Sequence, residues 1–253
     1  TGPTGSGKTT TLYALLQMLN KEDVNIVSLE DPVEYYVDGI NQSQVRHEIG
    51  YTFASGLRQI LRQDPDIIMV GEIRDSETAE LAVHAALTGH IVLSTLHTNS
   101  AVGVIPRLVD MNVDGFLLPA ALSLMAAQRL IPKLCEFCKT PEDPSDSVLK
   151  IIKKELLNIA SEYKQNLVEP YKIYHSKGCL KCKNKGYTGR VALFEVFEMT
   201  PELSAIIDKG VTEHDIADEA RRQGIVSLRA DGILKALNGV VPIEEVLRET
   251  LAS

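Results

Sequence analysis

The sequence predicts an α/β fold built on a mainly parallel sheet, followed by a cysteine-bearing module and a small helical subdomain. Three observations carry this reading. Short β-branched runs at 24–29, 67–70 and 91–95 alternate with helical patterns, as βαβ units require. After Ile131-Pro132 the composition shifts to a Lys-, Glu- and Asp-rich stretch bracketed by two cysteine pairs. From Thr200 onward four helix starts follow one another, at Thr200-Pro201, Thr212, Ser227 and Pro242. The expected divisions are therefore 1–131, 132–195 and 196–253.

Between the first two strands, Phe53, Leu57, Ile60 and Leu61 recur at helical spacing until Asp64-Pro65 ends the pattern. A second helix is predicted over 76–87, capped by Asp75 or Ser76 and closed by Gly89. The longest apolar stretch, 116–127, includes Pro119 and falls well short of the ~20 residues that cross a bilayer. It reads as a buried helix, and no membrane span is expected. A further helix over 148–163 would fill the gap between the cysteine pairs.

Composition excludes some functions. The chain has 253 residues, 44% of them hydrophobic, enough for a sizeable core. Its net charge of -8 and its lack of Trp argue against nucleic acid as the main partner. No secretory signal opens the chain, so a cytoplasmic protein with reduced thiols is expected. The chain starts directly at Thr1-Gly2-Pro3, with no strand ahead of a phosphate-binding loop, so a strand and further N-terminal domains are expected upstream.

That loop is Gly2-Pro3-Thr4-Gly5-Ser6-Gly7-Lys8-Thr9, which fits G-x-x-x-x-G-K-[ST] at every fixed position and runs into a helix from Thr10. Its glycines let backbone N–H groups wrap a phosphate, and the helix N-terminus favours the anion. Lys8 should reach the β- and γ-phosphates of ATP, and Thr9 should offer its hydroxyl to Mg²⁺. A chance Gly-rich turn would not join the glycine, the lysine and the hydroxyl to a helix start.

In parallel sheets ligands gather at the carboxyl ends of the strands. The three strands end in Glu30-Asp31-Pro32-Val33-Glu34, Gly71-Glu72-Ile73-Arg74-Asp75 and Thr95-Leu96-His97-Thr98-Asn99. Glu72 follows the most apolar strand and is the candidate base that activates water. The aspartate usual at the end of such a strand is absent and Gly71 stands beside the glutamate, so Mg²⁺ would rely on Thr9, waters and Asp31 or Glu34. Arg58 and Arg62 share a helix face, as nucleotide or subunit contacts or as a solvated face, and Arg74 carries the same alternatives.

Cys135-Glu136-Phe137-Cys138 and Cys179-Leu180-Lys181-Cys182 offer four thiolates to one tetrahedral ion, which points to structural Zn²⁺. A redox C-x-x-C is the rival, and disulfides suit a reducing compartment less.

These clusters together resemble the secretion ATPase superfamily, specifically the type II secretion and type IV pilus assembly ATPases. The likeness covers nearly the whole chain. It rests on the phosphate loop, the acidic box at Glu30 to Glu34, Leu61-Arg62-Gln63-Asp64-Pro65-Asp66 leading to Gly71-Glu72, and a histidine box at Thr88-Gly89-His90 through Ser94-Thr95-Leu96-His97-Thr98. The resemblance implies a RecA-like P-loop NTPase core, Glu72 as catalytic glutamate, Glu34 as supporting acid, and His90 and His97 as nucleotide-state sensors. It also implies a homo-hexamer with ATP near subunit boundaries and an N-terminal domain that supplies arginines. An inner-membrane platform protein is the implied partner. The tetracysteine module, Gly186-Tyr187-Thr188-Gly189-Arg190-Val191 and Phe194-Glu195-Val196 look like the extension and secretion branch and not the retraction branch. A nucleic-acid translocase and a zinc scaffold without turnover are the competing readings.

Overall fold

The computed structural model describes residues 1–251 apart from 158, 166 and 211. Helix α1 (Lys8–Leu19) leads to β1 (Ile26–Glu30) and β2 (Asn41–Gln44). Then come α2 (Phe53–Ile60), β3 (Ile67–Val70), α3 (Ser76–Leu87) and β4 (Ile91–Ser94). These strands form one sheet in the order β2-β1-β3-β4, every pair parallel.

β1 and β3 are buried at every position because both faces of the sheet are covered. Ile26, Ile67 and Met69 pack with Leu12, Tyr13 and Leu16 of α1. Val27, Leu29, Ile68 and Val70 join the larger core with Leu57 and Ile60 of α2 and Ala79 and Val83 of α3. Leu57 is fully buried, so Leu57→Ala should cost about 2–5 kcal/mol. Asp75 caps α3 by accepting from Thr78 N–H at 2.8 Å, and Thr52 caps α2 with Ser55 in a reciprocal box.

Beyond the sheet lie α4 (Val104–Asp110), α5 (Leu118–Ala121) and β5 (Leu124–Leu134). The apolar stretch at 116–127 is thus not one buried helix. Phe116 is 68% exposed, the helix holds only Leu118–Ala121, and from Leu124 the chain is a strand. Every second residue from Met125 through Ala127 and Arg129 to Ile131 is buried, and pairing along the strand overrides the helical propensity.

Next follow β6 (Lys139–Glu142), α6 (Asp146–Leu157), β7 (Ile173–Ser176) and β8 (Tyr187–Glu198). The helix expected over 148–163 is α6, which stops at Leu157; residue 158 lies outside the described residues. β5 pairs antiparallel with β8 from Leu124↔Glu198 to Leu134↔Tyr187. Residues 132 and 195, the ends of the expected middle division, both lie on this ribbon.

Four helices complete the chain: α7 (Pro201–Lys209), α8 (Glu213–Arg222), α9 (Leu228–Leu237) and α10 (Ile243–Glu249). Their N-caps are Thr200, Thr212, Ser227 and Pro242. Buried Glu219 ties α8 to the start of α7. It accepts from Arg222 Nε at 2.6 Å, Gln223 Nε2 at 3.0 Å and Thr200 Oγ1 at 3.1 Å. Arg222 first, helped by Gln223 and Thr200, pulls the Glu219 carboxyl down to about 2. A depressed carboxyl contributes stability above its unfolded pKa of about 4.3, and that contribution disappears as pH falls toward 2. Glu219→Gln should therefore lose about 1 kcal/mol at pH 7, Arg222 being half exposed, and its urea midpoint should fall less steeply between pH 5 and 2.

Candidate functional site

The carboxyl ends of β1, β3 and β4 open into a cavity of about 620 Å³ beside the start of α1. Lys8, Thr9, Glu34, Glu72, Arg74 and His97 all line it, as do Thr4, Gly5, Gly7 and Thr10. Gly7 caps α1 with φ 87°, and Gly2 has φ 141°. A Cβ on Gly2 would stand 2.4 Å from the Gln128 carbonyl of β5, so only glycine fits there. The Ser6 hydroxyl is buried inside the loop without a hydrogen-bond partner. The Lys8 ammonium donates to the carbonyls of Gly2 at 2.8 Å and Pro3 at 3.1 Å. Burial lowers the Lys8 pKa, and the charge of Glu72 opposes that shift.

Glu72 is gripped from both sides. Gly71 N–H donates to Leu29 O at 2.8 Å, Ile73 N–H donates to Thr95 O at 2.9 Å, and Thr95 Oγ1 donates to Gly71 O at 2.7 Å. A Cβ at Gly71 would meet the Leu29 carbonyl at 3.2 Å and Glu30 Cα at 3.4 Å. A side chain at this position would need its neighbours to give by a few tenths of an ångström. The Glu72 side chain is 13% exposed, paired with Arg74 Nη2 at 2.5 Å and His97 Nε2 at 3.2 Å. The Arg74 pKa is raised, first by its hydrogen bond to Glu72.

The acidic loop after β1 is anchored by α1. Tyr13 donates to buried Glu30, which also accepts from Ser28 at 2.5 Å and Gln42 at 3.2 Å. The Tyr13 oxygen accepts the Glu34 N–H at 3.3 Å, and the Tyr35 ring packs on the Tyr13 ring at 4.4 Å. Burial first, then the Glu30 hydrogen bond and charge, push the Tyr13 hydroxyl up to about 12. Tyr13 is thus the strut between the phosphate loop helix and Glu34.

Some sequence candidates lie elsewhere. His90 precedes β4, at the opposite end from His97, where its Nδ1 contacts Ala85 O at 3.0 Å and Thr88 Oγ1 at 3.1 Å. It does not line the cavity. Arg58 pairs with Glu77 of α3 on an exposed surface, and Arg62 is exposed outside the cavity. Arg190 of β8 lines the cavity, although the sequence singled it out only within a branch likeness. Nothing in its local pattern marks it, since the β5–β8 ribbon delivers it from far along the chain.

The second cluster is built by the β6–β7 ladder. Lys139↔Ser176 pairing sets the residue after Cys138 beside the turn that leads to Cys179. All four sulfurs lie within 4.8 Å of one another, so these residues could hold a metal ion. The pairs Cys135–Cys179 and Cys138–Cys182 are 3.9 Å apart and Cys179–Cys182 is 3.8 Å. Cys182 Sγ receives the N–H groups of Cys179 at 3.1 Å and Gly186 at 3.2 Å. Burial disfavours its thiolate, but these donors and the neighbouring thiols bring it down to about 6. Burial and the surrounding sulfurs push Cys138 up to about 12.

Known proteins resemble this chain along nearly its whole length. Residues 1–248 match the family model described as type II/IV secretion system protein. The type IV pilus assembly ATPase PilB of Myxococcus xanthus is 47% identical over 250 residues, which are 99% of this chain and 43% of that protein. Type II secretion system protein E of Pseudomonas aeruginosa is also 47% identical, over 99% of this chain and 47% of its own length. The chain thus spans less than half of these curated relatives. Among solved structures, the pilus retraction motor PilT with bound ADP superposes with a TM-score of 0.70 at 27% identity, over 98% of this chain and 59% of PilT. The Legionella pneumophila ATPase DotB gives 0.68 at 24% identity over 100% of this chain and 59% of its own, a likeness of fold. With a family model spanning nearly every residue, the chain belongs to the type II/IV secretion system protein family.

Proposed function

We propose that this chain hydrolyses ATP as part of a hexameric motor that powers type IV pilus extension or type II pseudopilus assembly. The observation that carries the hydrolytic reading is Glu72, a largely buried carboxylate held between Arg74 and His97 in the cavity that Lys8 also lines. Lys8 exchanges the loop carbonyls of Gly2 and Pro3 for phosphate oxygens, and backbone N–H groups of Gly5 to Thr9 hold the phosphates. Mg²⁺, held through the Thr9 hydroxyl, would offset charge on the β- and γ-phosphates during transfer. Glu72 takes the proton from the attacking water, and Arg74 and His97 orient the carboxylate. Glu34, steadied through its N–H on Tyr13, supports the metal side of the cavity. His97, touching Glu72 directly, reports whether the γ-phosphate is present.

The cysteine cluster suits Zn²⁺. Bonds of about 2.3 Å in a tetrahedron set sulfurs about 3.8 Å apart, and three of the pairs stand at 3.8–3.9 Å. A closed four-thiolate site leaves no position for substrate, so zinc would supply structure only. The relatives named for pilus assembly and type II secretion support the motor role, with a homo-hexamer turning an inner-membrane platform protein from the cytoplasmic side. No described helix is long and apolar enough to cross a membrane. Deleting the gene should remove surface pili or block secretion of folded proteins, and a Lys8→Ala copy should not restore either. A deletion strain normal in both would overturn the role.

A further inference from the structure

We propose that Glu195 is a positioning residue that joins the His97 loop to the C-terminal helices, so that nucleotide state at one is transmitted to the other. This rests on the hydrolytic reading above and names how its site is coupled. Glu195 and Arg129 are diagonal neighbours on one face of the β5–β8 ribbon, opposite Ala127 and Leu193 respectively. Both are charged and only 5% and 6% exposed.

Each side chain is spent on backbone. Arg129 Nη2 donates to Asn99 O at 3.2 Å. One oxygen of Glu195 accepts the Ala101 N–H at 2.7 Å, and the other accepts the Leu228 N–H at 3.4 Å. At the near end of the same loop, Thr98 N–H donates to the Thr1 hydroxyl at 2.8 Å. The segment 98–101, which directly follows His97, is therefore gripped by the start of the phosphate loop, by β5 and by β8. Leu228 is the first residue of α9, so a single carboxylate holds both the His97 loop and a helix N-terminus.

The helix in turn is tied along β8 and onward. Asp231 Oδ2 accepts the Phe194 N–H at 2.9 Å, Lys235 donates to Ala192 O at 2.9 Å, and Arg229 donates to Thr250 O at 2.5 Å beyond α10. A shift of Ala101 that keeps its bond to Glu195 must move Glu195 relative to Leu228 or carry α9 with it. A buried carboxylate is costly unless its oxygens are hydrogen-bonded, and both Glu195 oxygens are taken up by these two amides from separate segments.

The test uses hydrogen–deuterium exchange on the full-length chain, with and without a non-hydrolysable ATP analogue and Mg²⁺, followed at 98–103 and 226–230. In the wild type, nucleotide should change protection in both segments. In Glu195→Gln, which keeps the shape but turns one acceptor into a donor, 98–103 should still respond while 226–230 should not. Its kcat should fall about tenfold, as misplaced reacting groups do, with KM for ATP moving less than about twofold. The proposal is overturned if wild-type 226–230 is indifferent to bound nucleotide, a result that needs no folded variant. It is also overturned if both segments of Glu195→Gln still respond together, or if its kcat is unchanged. A wild type that binds nucleotide without hydrolysing it sinks the ATPase reading alone, and exchange still decides the joint.

Discussion

Replacing Glu72 by Gln in the full-length protein should lower ATP turnover by about 10²–10⁴-fold while nucleotide still binds. Gln keeps the length and the backbone grip on Gly71 and Ile73, so the cavity keeps its shape. What disappears is the proposed proton acceptor. The loss also removes a negative charge close to Lys8, whose pKa already responds to it, so affinity for the anionic nucleotide should stay level or tighten. Steady-state phosphate release together with equilibrium nucleotide binding separates the two effects. Equal turnover in wild type and variant would remove Glu72 from the mechanism and favour another carboxylate of the cavity lining, such as Glu34.

Purified protein should carry about one Zn²⁺ per chain, and Cys135→Ser or Cys179→Ser should lose it. Cys135 is fully buried at the end of β5, its N–H bonded to Gly186 O at 2.9 Å. Without the ion, the four sulfurs keep only their mutual thiol contacts and a few backbone bonds, and the second knuckle carries left-handed residues at Lys183 and Asn184. Structural zinc sites contribute many kcal/mol to the folded state of small modules. Even about 4 kcal/mol of that would lower Tm by roughly 10 °C in a chain of this size. Elemental analysis and thermal scans check both parts. Freshly purified protein free of zinc would sink the metal assignment.

Much of this architecture was legible because it is encoded locally. The α3 helix spans Ser76–Leu87 as its pattern predicts, since Asp75 offers a cap and Gly89 an exit. The four C-terminal helices begin at the four predicted caps because Thr and Ser hydroxyls, and Pro, act within one turn. β2 escaped notice because Asn41-Gln42-Ser43-Gln44 is polar, and only its pairing with β1 makes it a strand. The stretch at 116–127 misled because a short apolar run suits helix and strand alike until its partner is known, and β8 lies some 60 residues further on.

The site followed the same division. Glu72, His97 and Lys8 stand together because strand ends and the phosphate loop converge by topology, a rule the sequence can use. Tyr13 beneath Glu30, Arg190 in the cavity wall, and Arg129 with Glu195 depend on contacts between distant segments, which no local pattern records. His90 shows the converse. Shared membership of one sequence box put it beside His97 on paper, but the length of β4 separates them.

The most direct test of hydrolysis is single-turnover phosphate release from ATP and Mg²⁺ by the full-length chain at sub-stoichiometric ATP. Each bound ATP should yield one phosphate, and Glu72→Gln should bind the same ATP but hold it intact. Stoichiometric binding to the wild type with ATP recovered unhydrolysed would contradict hydrolysis, and would leave a nucleotide-holding scaffold in place of a motor.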